Sequence, residues 1–101
     1  MDRKYQFMVD FTMPEVLTNR FMDLVPYQRA MVNRYLKDGK LANYSLSLDN
    51  QKLWAVFNAN SEVEVLDMLA DLPLTKFMET EISLLTFHNT AKLEVLTFSM
   101  N

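Results

Sequence analysis

The sequence of 101 residues contains no cysteine, one histidine and one glycine. Without cysteine the chain can form no disulfide, thiolate nucleophile or cysteine-ligated metal site. A single histidine argues against zinc or non-haem iron, although carboxylates alone can hold a hard cation. One glycine leaves no material for a glycine-rich phosphate-binding loop. We therefore predict no metal site and no nucleotide cofactor.

The chain also lacks a basic excess and long hydrophobic runs. Its net charge is −3, whereas nucleic-acid binding calls for clustered basic residues. It has no basic amphipathic stretch suited to a membrane surface, and no apolar run of the roughly 18 residues typical of a membrane helix. The first residues, MDRKYQFMVDF, are too poor in apolar side chains for a signal peptide. We expect a cytoplasmic protein that binds neither nucleic acid nor membrane.

What the chain has in quantity is apolar side chains, which make up 50% of its residues. The length predicts one domain over residues 1–101. A chain this short leaves much of its surface uncovered, so the surplus of apolar residues indicates burial against a second copy of the chain.

The first half of the sequence predicts a strand followed by a long helix. Every second residue of 5–11 is apolar (Tyr5, Phe7, Val9 and Phe11), which is strand periodicity with one strongly apolar face. Thr12 and Glu15 have the spacing of a capping box, predicting a helix from there to about residue 38. Pro26 predicts a kink or two helical pieces. Gly39 stands where the residue after a helix end is expected.

The second half predicts a hairpin, a helix and further strands. Residues 41–48 and 52–58 read as two strands joined by a turn at Asp49-Asn50-Gln51. Ser61 and Glu64 form another capping box, and Pro73 ends the helix that they start. Strands are predicted from residue 80 and, as an edge or exchanged strand, over residues 93–100.

The resulting order, β-α-β-β-α-β with an added C-terminal strand, is the α+β ferredoxin-like arrangement. Its sheet is expected to be antiparallel with both helices on one face. The opposite face mixes polar and apolar side chains, a pattern better explained by a second sheet than by water. The apolar members are Met8, Trp54, Val56, Leu85 and Phe87. We therefore predict a homodimer that forms a dimeric α+β barrel.

Several residues in the second half carry a family resemblance. They are Val56-Phe57, Ser61, Asp67, Leu69, Leu72-Pro73-Leu74, Met78, Glu81, Leu85 and His88. With these residues and the matching order of elements, the sequence resembles the muconolactone isomerase family of dimeric α+β barrels over roughly residues 4 to 88. The resemblance implies a cofactor-independent and metal-independent isomerase of aromatic catabolism, built from dimers that assemble into larger rings.

The implied reaction shifts a double bond inside a five-membered lactone that bears a carboxymethyl group. It needs a base beside a carbonyl, a route that returns the proton, and a cation or donor for the substrate carboxylate. The sequence departs from the family here. Residues 41–46 contain no cation, and the first strand offers Gln6, Met8 and Thr12 where the family places basic or imidazole side chains. These losses favour an alternative: a non-catalytic module for ligand binding or assembly. A cofactorless monooxygenase is a third hypothesis, by fold analogy only.

Three residues are candidates for acid–base catalysis. Glu81 matches a family acid among apolar neighbours, where burial would raise the pKa of a carboxyl group; the alternative is an interface acid paired with Arg or Lys. His88 also matches the family and can shuttle a proton, or it is a hydrogen-bonded residue at the strand end. Glu81 and His88 are seven residues apart, so in a regular strand they point to opposite faces and lie roughly 23 Å from each other. They can share a pocket only across a dimer or through a bulge. Asp10, in the first strand, competes with Glu81 for the role of base if the pocket lies inside the barrel.

Three further residues are candidates for substrate binding. Tyr44 can donate a hydrogen bond to an enolate oxygen, or it is a core aromatic with its hydroxyl at the rim. Arg29, with Arg34 nearby, can clamp a carboxylate, although most arginines on such a helix are solvated. Trp54 and the methionines can line an apolar pocket between the sheet and the helices, or they simply fill the core.

Overall fold

The computed structural model of the protein describes residues 5–87. The element order is β1 (Tyr5–Thr12), α1 (Asn19–Lys37), β2 (Leu41–Ser47), β3 (Lys52–Ala59), α2 (Glu62–Asp71), a 3-10 turn (Thr75–Phe77) and β4 (Glu79–Leu84). The predicted β-α-β-β-α-β order is confirmed. The predicted strand at residues 93–100 and the candidate His88 lie outside the described residues.

The four strands form one antiparallel sheet in the order β2-β3-β1-β4. β1 is central, and its Val9 lies opposite Ala55 of β3 and Ile82 of β4. This order and direction confirm the ferredoxin-like α+β fold.

Alternate residues of the central strands face the helices, and they form the core. Side chains of β1 and β3 pack there against α1 and α2, following the two-residue repeat of a strand. Core members include Phe7, Val9, Phe11, Leu53, Ala55, Phe57, Val32, Tyr35, Val65 and Leu69. We call this side of the sheet the helix face, and the other side, with Met8, Asp10, Trp54, Val56 and Glu81, the open face.

The start of α1 differs from the prediction. The helix begins at Asn19, and its cap is Thr18, whose Oγ1 accepts a hydrogen bond from Phe21 N at 3.2 Å. Thr12 instead ends β1, opposite Lys52, and its Oγ1 accepts a hydrogen bond from Lys52 Nζ at 2.9 Å. The Thr12–Glu15 capping box is therefore wrong, because pairing within the sheet engages Thr12.

The end of α1 follows the prediction. Gly39 adopts a φ of 77°, the left-handed region that glycine enters without steric cost. Its N–H donates to Leu36 O, while Lys40 N donates to Tyr35 O, which together form a Schellman motif. α1 continues through Pro26 as one helix rather than two pieces. Pro26 and Met22 are exposed, so the Met22 carbonyl that loses its helical partner is close to solvent.

The start of α2 is also as predicted. Ser61 Oγ accepts from Glu64 N at 3.2 Å, and Glu64 Oε1 accepts from Asn60 N at 3.1 Å, one residue earlier than in the standard capping box. The helix ends at Asp71, and Pro73 lies in the corner that leads to the 3-10 turn.

A β-bulge in β2 determines which side chains of that strand face the helices. Leu41 lies opposite Phe57, yet Asn43 lies opposite Val56, so β2 holds one residue more than β3 over this stretch. In a regular ladder Tyr44 would lie opposite Trp54, on the open face. The extra residue moves Tyr44 opposite Ala55, on the helix face.

The open face is mixed, as the sequence indicated. Val56 is buried, Met8 and Trp54 are half-buried, and Asp10 lies in the ladder between Trp54 and Glu81. Phe87, beyond the end of β4, is 80% exposed. Association of two such faces stays a prediction.

Candidate functional site

An apolar pocket of about 280 Å³ opens on the helix face of the sheet, between α1, β2, β3 and the segment after α2. Its lining consists of Met13, Phe21, Val25, Gln28, Arg29, Tyr44, Leu46, Leu53, Leu74 and Met78. Only three of these side chains carry nitrogen or oxygen. A pocket with apolar walls and a few placed polar groups is the usual form of a small-molecule site.

The deepest polar group of this pocket is Gln28. Its side chain is 4% exposed, and among the described residues it is the buried polar residue of the core. Gln28 Nε2 donates a hydrogen bond to Tyr44 Oη at 3.0 Å, and Gln28 Oε1 accepts one from Leu74 N at 3.0 Å. The amide therefore links α1, β2 and the corner after Pro73, which satisfies the rule that buried polar groups are hydrogen-bonded.

The environment of Tyr44 favours its neutral form. Burial raises the pKa of the Tyr44 hydroxyl above its ordinary value, and the hydrogen bond from Gln28 offsets part of that rise. At neutral pH Tyr44 is therefore an uncharged phenol, able to donate a hydrogen bond but unsuited to act as a base.

Arg29 supplies a positive charge at the same pocket. It follows Gln28 on α1, and its side chain is exposed while lining the apolar walls. Within residues 5–87 the one ion pair joins Lys52 to Asp10, and Arg29 engages no acidic side chain. A guanidinium beside an apolar cavity is suited to a carboxylate, which it can bind with two parallel hydrogen bonds.

Comparison with known proteins identifies the family of the chain. The family model for muconolactone delta-isomerase matches residues 4–91, most of the sequence. The chain belongs to the muconolactone delta-isomerase family. Among solved structures, a crystal structure of muconolactone isomerase has a TM-score of 0.68 and 23% sequence identity, covering 85% of this chain and 93% of that chain. This similarity shows the fold. No curated protein sequence matches the chain.

The structure brings the predicted site residues Tyr44 and Arg29 together at this pocket. The other predicted site residues within residues 5–87 lie on the open face. Asp10, Trp54 and Glu81 are neighbours there, because Asp10 lies opposite Trp54 in β3 and opposite Glu81 in β4. Glu81 is exposed in the single chain rather than buried among apolar neighbours. Trp54 does not line the apolar pocket between sheet and helices. The catalytic and binding roles of all these residues stay predictions.

A polar cleft of about 200 Å³ surrounds the acidic residues of the open face. It is lined by Asp10, Thr12, Lys52, Glu79, Thr80 and Glu81. Lys52 Nζ contacts Asp10 Oδ1 and Thr12 Oγ1, each at 2.9 Å. The strand carboxylates and Arg29 therefore line different cavities, separated by the thickness of the sheet.

Two residues of these sites were missed by sequence reasoning. Gln28 had a usable signal, because it follows Phe21 by seven residues and precedes Val32 by four, which puts a polar residue on the buried stripe of α1. Lys52 had none, since its contact with Asp10 joins residues 42 positions apart in the sequence.

The described part of the chain offers no obvious metal site and no membrane helix. Within residues 5–87, no three His, Cys, Asp or Glu side chains are grouped so that they could hold a metal ion. No helix of that region is long and apolar enough to cross a membrane.

Proposed function

We propose that this chain binds a small organic carboxylate in the apolar pocket, with Arg29 holding the carboxylate and the apolar walls holding the body of the ligand. The observation that carries the proposal is the guanidinium of Arg29 at the edge of a largely apolar cavity, with no acidic partner among residues 5–87. A charge-assisted pair of this kind adds both affinity and orientation.

The size of the cavity supports a ligand of one ring with a short side chain. A dry cavity of about 150 Å³ accommodates benzene. The pocket here, at about 280 Å³, has room for a ring and a carboxymethyl or similar group. Phenylacetate has this size and charge and is a practical probe.

Calorimetric titration with phenylacetate tests the proposal. Arg29→Gln removes the charge and keeps a polar side chain of similar length, so binding is expected to weaken about tenfold, the value of a charge-assisted hydrogen bond. Arg34→Gln is the matched control, since Arg34 lies on the same helix and does not line the pocket. Equal affinities for wild type and Arg29→Gln would reject the carboxylate site.

The second candidate is the reaction that names the family, a cofactor-independent shift of a double bond in a lactone during breakdown of aromatic compounds. Family membership favours it, and so does the polar cleft, where Asp10 and Glu81 are cross-strand neighbours beside Lys52. A strand carboxylate can act as base only if it reaches a substrate on the open face or across a dimer. Turnover of muconolactone, followed by ultraviolet absorbance, separates this candidate from pure binding.

A homodimer is part of the same proposal. The half-buried Met8 and Trp54 and the buried Val56 share the open face, which a second sheet would cover. In such a barrel the polar clefts of two chains would lie between the sheets, and the two apolar pockets would stay outside, beneath the helices.

A further inference from the structure

Three hydrogen-bonding groups meet at the inner wall of the apolar pocket: the backbone N–H of Leu74, the Gln28 amide and the Tyr44 hydroxyl. A backbone N–H can only donate. The neighbour of Leu74 at this corner is Pro73, which has no N–H. The Leu74 N–H finds its acceptor in Gln28 Oε1 at 3.0 Å.

That single donor determines which way the Gln28 amide faces. With Oε1 bound to Leu74 N, the NH₂ group is directed at Tyr44 Oη, 3.0 Å away. The reversed amide would set the NH₂ group against the Leu74 N–H and leave a buried donor without an acceptor, which is costly. Tyr44 Oη is therefore the acceptor in its bond with Gln28, and the hydroxyl hydrogen is directed elsewhere.

We infer that Gln28 is a positioning residue that turns the Tyr44 hydroxyl hydrogen into the pocket, so that the ligand presents an acceptor oxygen to it. The other polar side chain of the lining, Arg29, also carries donors only. The pocket therefore offers donors at two points and selects a molecule with acceptor oxygens at both, such as a carboxylate that also bears a carbonyl. The choice of ligand rests on the proposed function; the direction of the Tyr44 hydroxyl does not.

The discriminating variant is Gln28→Glu. The introduced carboxylate still accepts from Leu74 N, but it cannot donate to Tyr44, so the Tyr44 hydroxyl turns to donate to it and leaves the pocket. Once protonated, the introduced group donates its own hydrogen to Tyr44 Oη and restores the original arrangement. Gln28→Met is the structural control, because it removes both hydrogen bonds and leaves the Tyr44 hydrogen free to face the pocket.

Two uncharged probes report on the hydroxyl alone. Phenylacetone carries one carbonyl acceptor, and isobutylbenzene has a similar shape with none. We expect Tyr44→Phe, and Gln28→Glu at pH 8, to bind phenylacetone about tenfold more weakly than wild type does. The affinity of both variants for isobutylbenzene should stay within about twofold of the wild-type value. Lowering the pH restores phenylacetone binding in Gln28→Glu and not in Tyr44→Phe.

A merely structural Gln28 gives a different pattern. Gln28→Met would then impair phenylacetone binding more than Gln28→Glu does, and the affinity of Gln28→Glu would not recover at low pH. Either result, or unchanged phenylacetone binding in Tyr44→Phe, overturns the inference even when phenylacetate binding still depends on Arg29.

A ligand-free measurement keeps the inference testable if none of the probes binds wild type, which would reject the proposed function alone. NMR titration of tyrosine labelled with ¹³C at Cζ, with Tyr44 assigned by Tyr44→Phe, follows the hydroxyl directly. Donation to a carboxylate favours the neutral phenol, so the pKa of Tyr44 is expected to be higher in Gln28→Glu than in wild type. Coincident titrations of Tyr44 in the two proteins would show that its hydroxyl does not change direction.

Discussion

Lys52 Nζ lies 2.9 Å from Asp10 Oδ1, joining β3 to β1 on the face of the sheet away from the helices. The side chains of Lys52 and Asp10 are 33% and 34% exposed, so solvent screens their attraction. Asp10 is therefore paired with a cation. Glu81, which lies opposite Asp10 in β4, forms no ion pair within residues 5–87. Of the two carboxylates, Glu81 is the better candidate for a base.

The Asp10–Lys52 pair is expected to add little to stability. Asp10→Asn should lower the free energy of unfolding by less than about 1 kcal/mol, the upper end for exposed ion pairs. Urea unfolding at low and high salt measures the effect, and the difference from wild type should shrink as salt rises. A loss of several kcal/mol would mean that the open face is covered in solution and that the pair is desolvated.

The isomerase candidate predicts a specific loss of turnover. If Glu81 removes the proton, Glu81→Gln should lower the rate of muconolactone conversion by about 10²-fold or more. Glu79→Gln is the matched control, because Glu79 lines the same cleft two residues away on β4. His88→Ala tests the second acid–base candidate. Absence of turnover by wild type at high enzyme concentration would remove this candidate and leave the binding proposal in place.

The corrected start of α1 gives a prediction about stability. Thr18→Ala removes the cap of the Phe21 N–H and should cost about 1 kcal/mol in chemical unfolding. Glu15→Ala should change stability by less than about 0.5 kcal/mol, because Glu15 is exposed and precedes the helix. The opposite ranking of the two variants would favour the capping box at Thr12 and Glu15.

Tyr44 is expected to make stability fall at alkaline pH. Its pKa is raised by burial above the ordinary 10.0, so the unfolded chain loses this proton at lower pH than the folded one does. The stability that Tyr44 contributes through this difference in pKa is complete below about pH 10, and it is lost as the pH rises through the folded-state pKa. Tyr35, whose pKa is raised by burial and by Asp71, acts in the same direction.

Urea midpoints between pH 8 and pH 11 measure this loss. Tyr44→Phe should reduce the alkaline decline, whereas Tyr27→Phe, which changes a tyrosine that is 67% exposed, should leave it as in wild type. An equal decline in Tyr44→Phe and wild type would show that the Tyr44 hydroxyl is not buried in solution.

The predicted homodimer depends on the open face. Trp54→Lys places a charge among Met8 and Val56 and should lower the mass measured by light scattering to that of smaller assemblies. Val63→Lys, at a position of α2 that is 65% exposed and away from the sheet, is the control for a surface charge. An unchanged mass in Trp54→Lys would show that the chains do not associate through this face.

The elements that the sequence predicted well are those with local signals. Ser61 and Glu64 lie within one turn of α2, and Gly39 follows α1 directly, so a few neighbouring residues suffice to define each end. Thr12 and Glu15 carry an equally good local signal, but pairing with β3 determines the conformation of Thr12. Such pairing brings together residues about 40 positions apart, which a local pattern cannot register.

The candidate site was also predicted only in part, because part of its geometry depends on contacts between distant residues. Tyr44 and Arg29 were identified by residue type, and the structure places both at one pocket. The alternation of side chains in β1 already puts Asp10 on the side opposite Phe7 and Phe11, so what could not be foreseen is which residues β2 turns to the helices. In β2 that choice depends on the bulge rather than on the alternation of side chains.

The bulge between Leu41 and Asn43 also means that a change of one residue in length could exchange the two surfaces of β2. Deleting Ser45, with Leu41 kept opposite Phe57 and Leu46 kept opposite Leu53, would restore a regular ladder. It would turn Tyr44 outward, opposite Trp54, while Asn43 would turn toward the helices, opposite Ala55. The pocket would lose its phenol and gain an amide without any substitution within its walls. A single codon inserted or deleted here therefore gives evolution a route to a different ligand on the same fold, and family members can be compared by the length of this strand as well as by its residues.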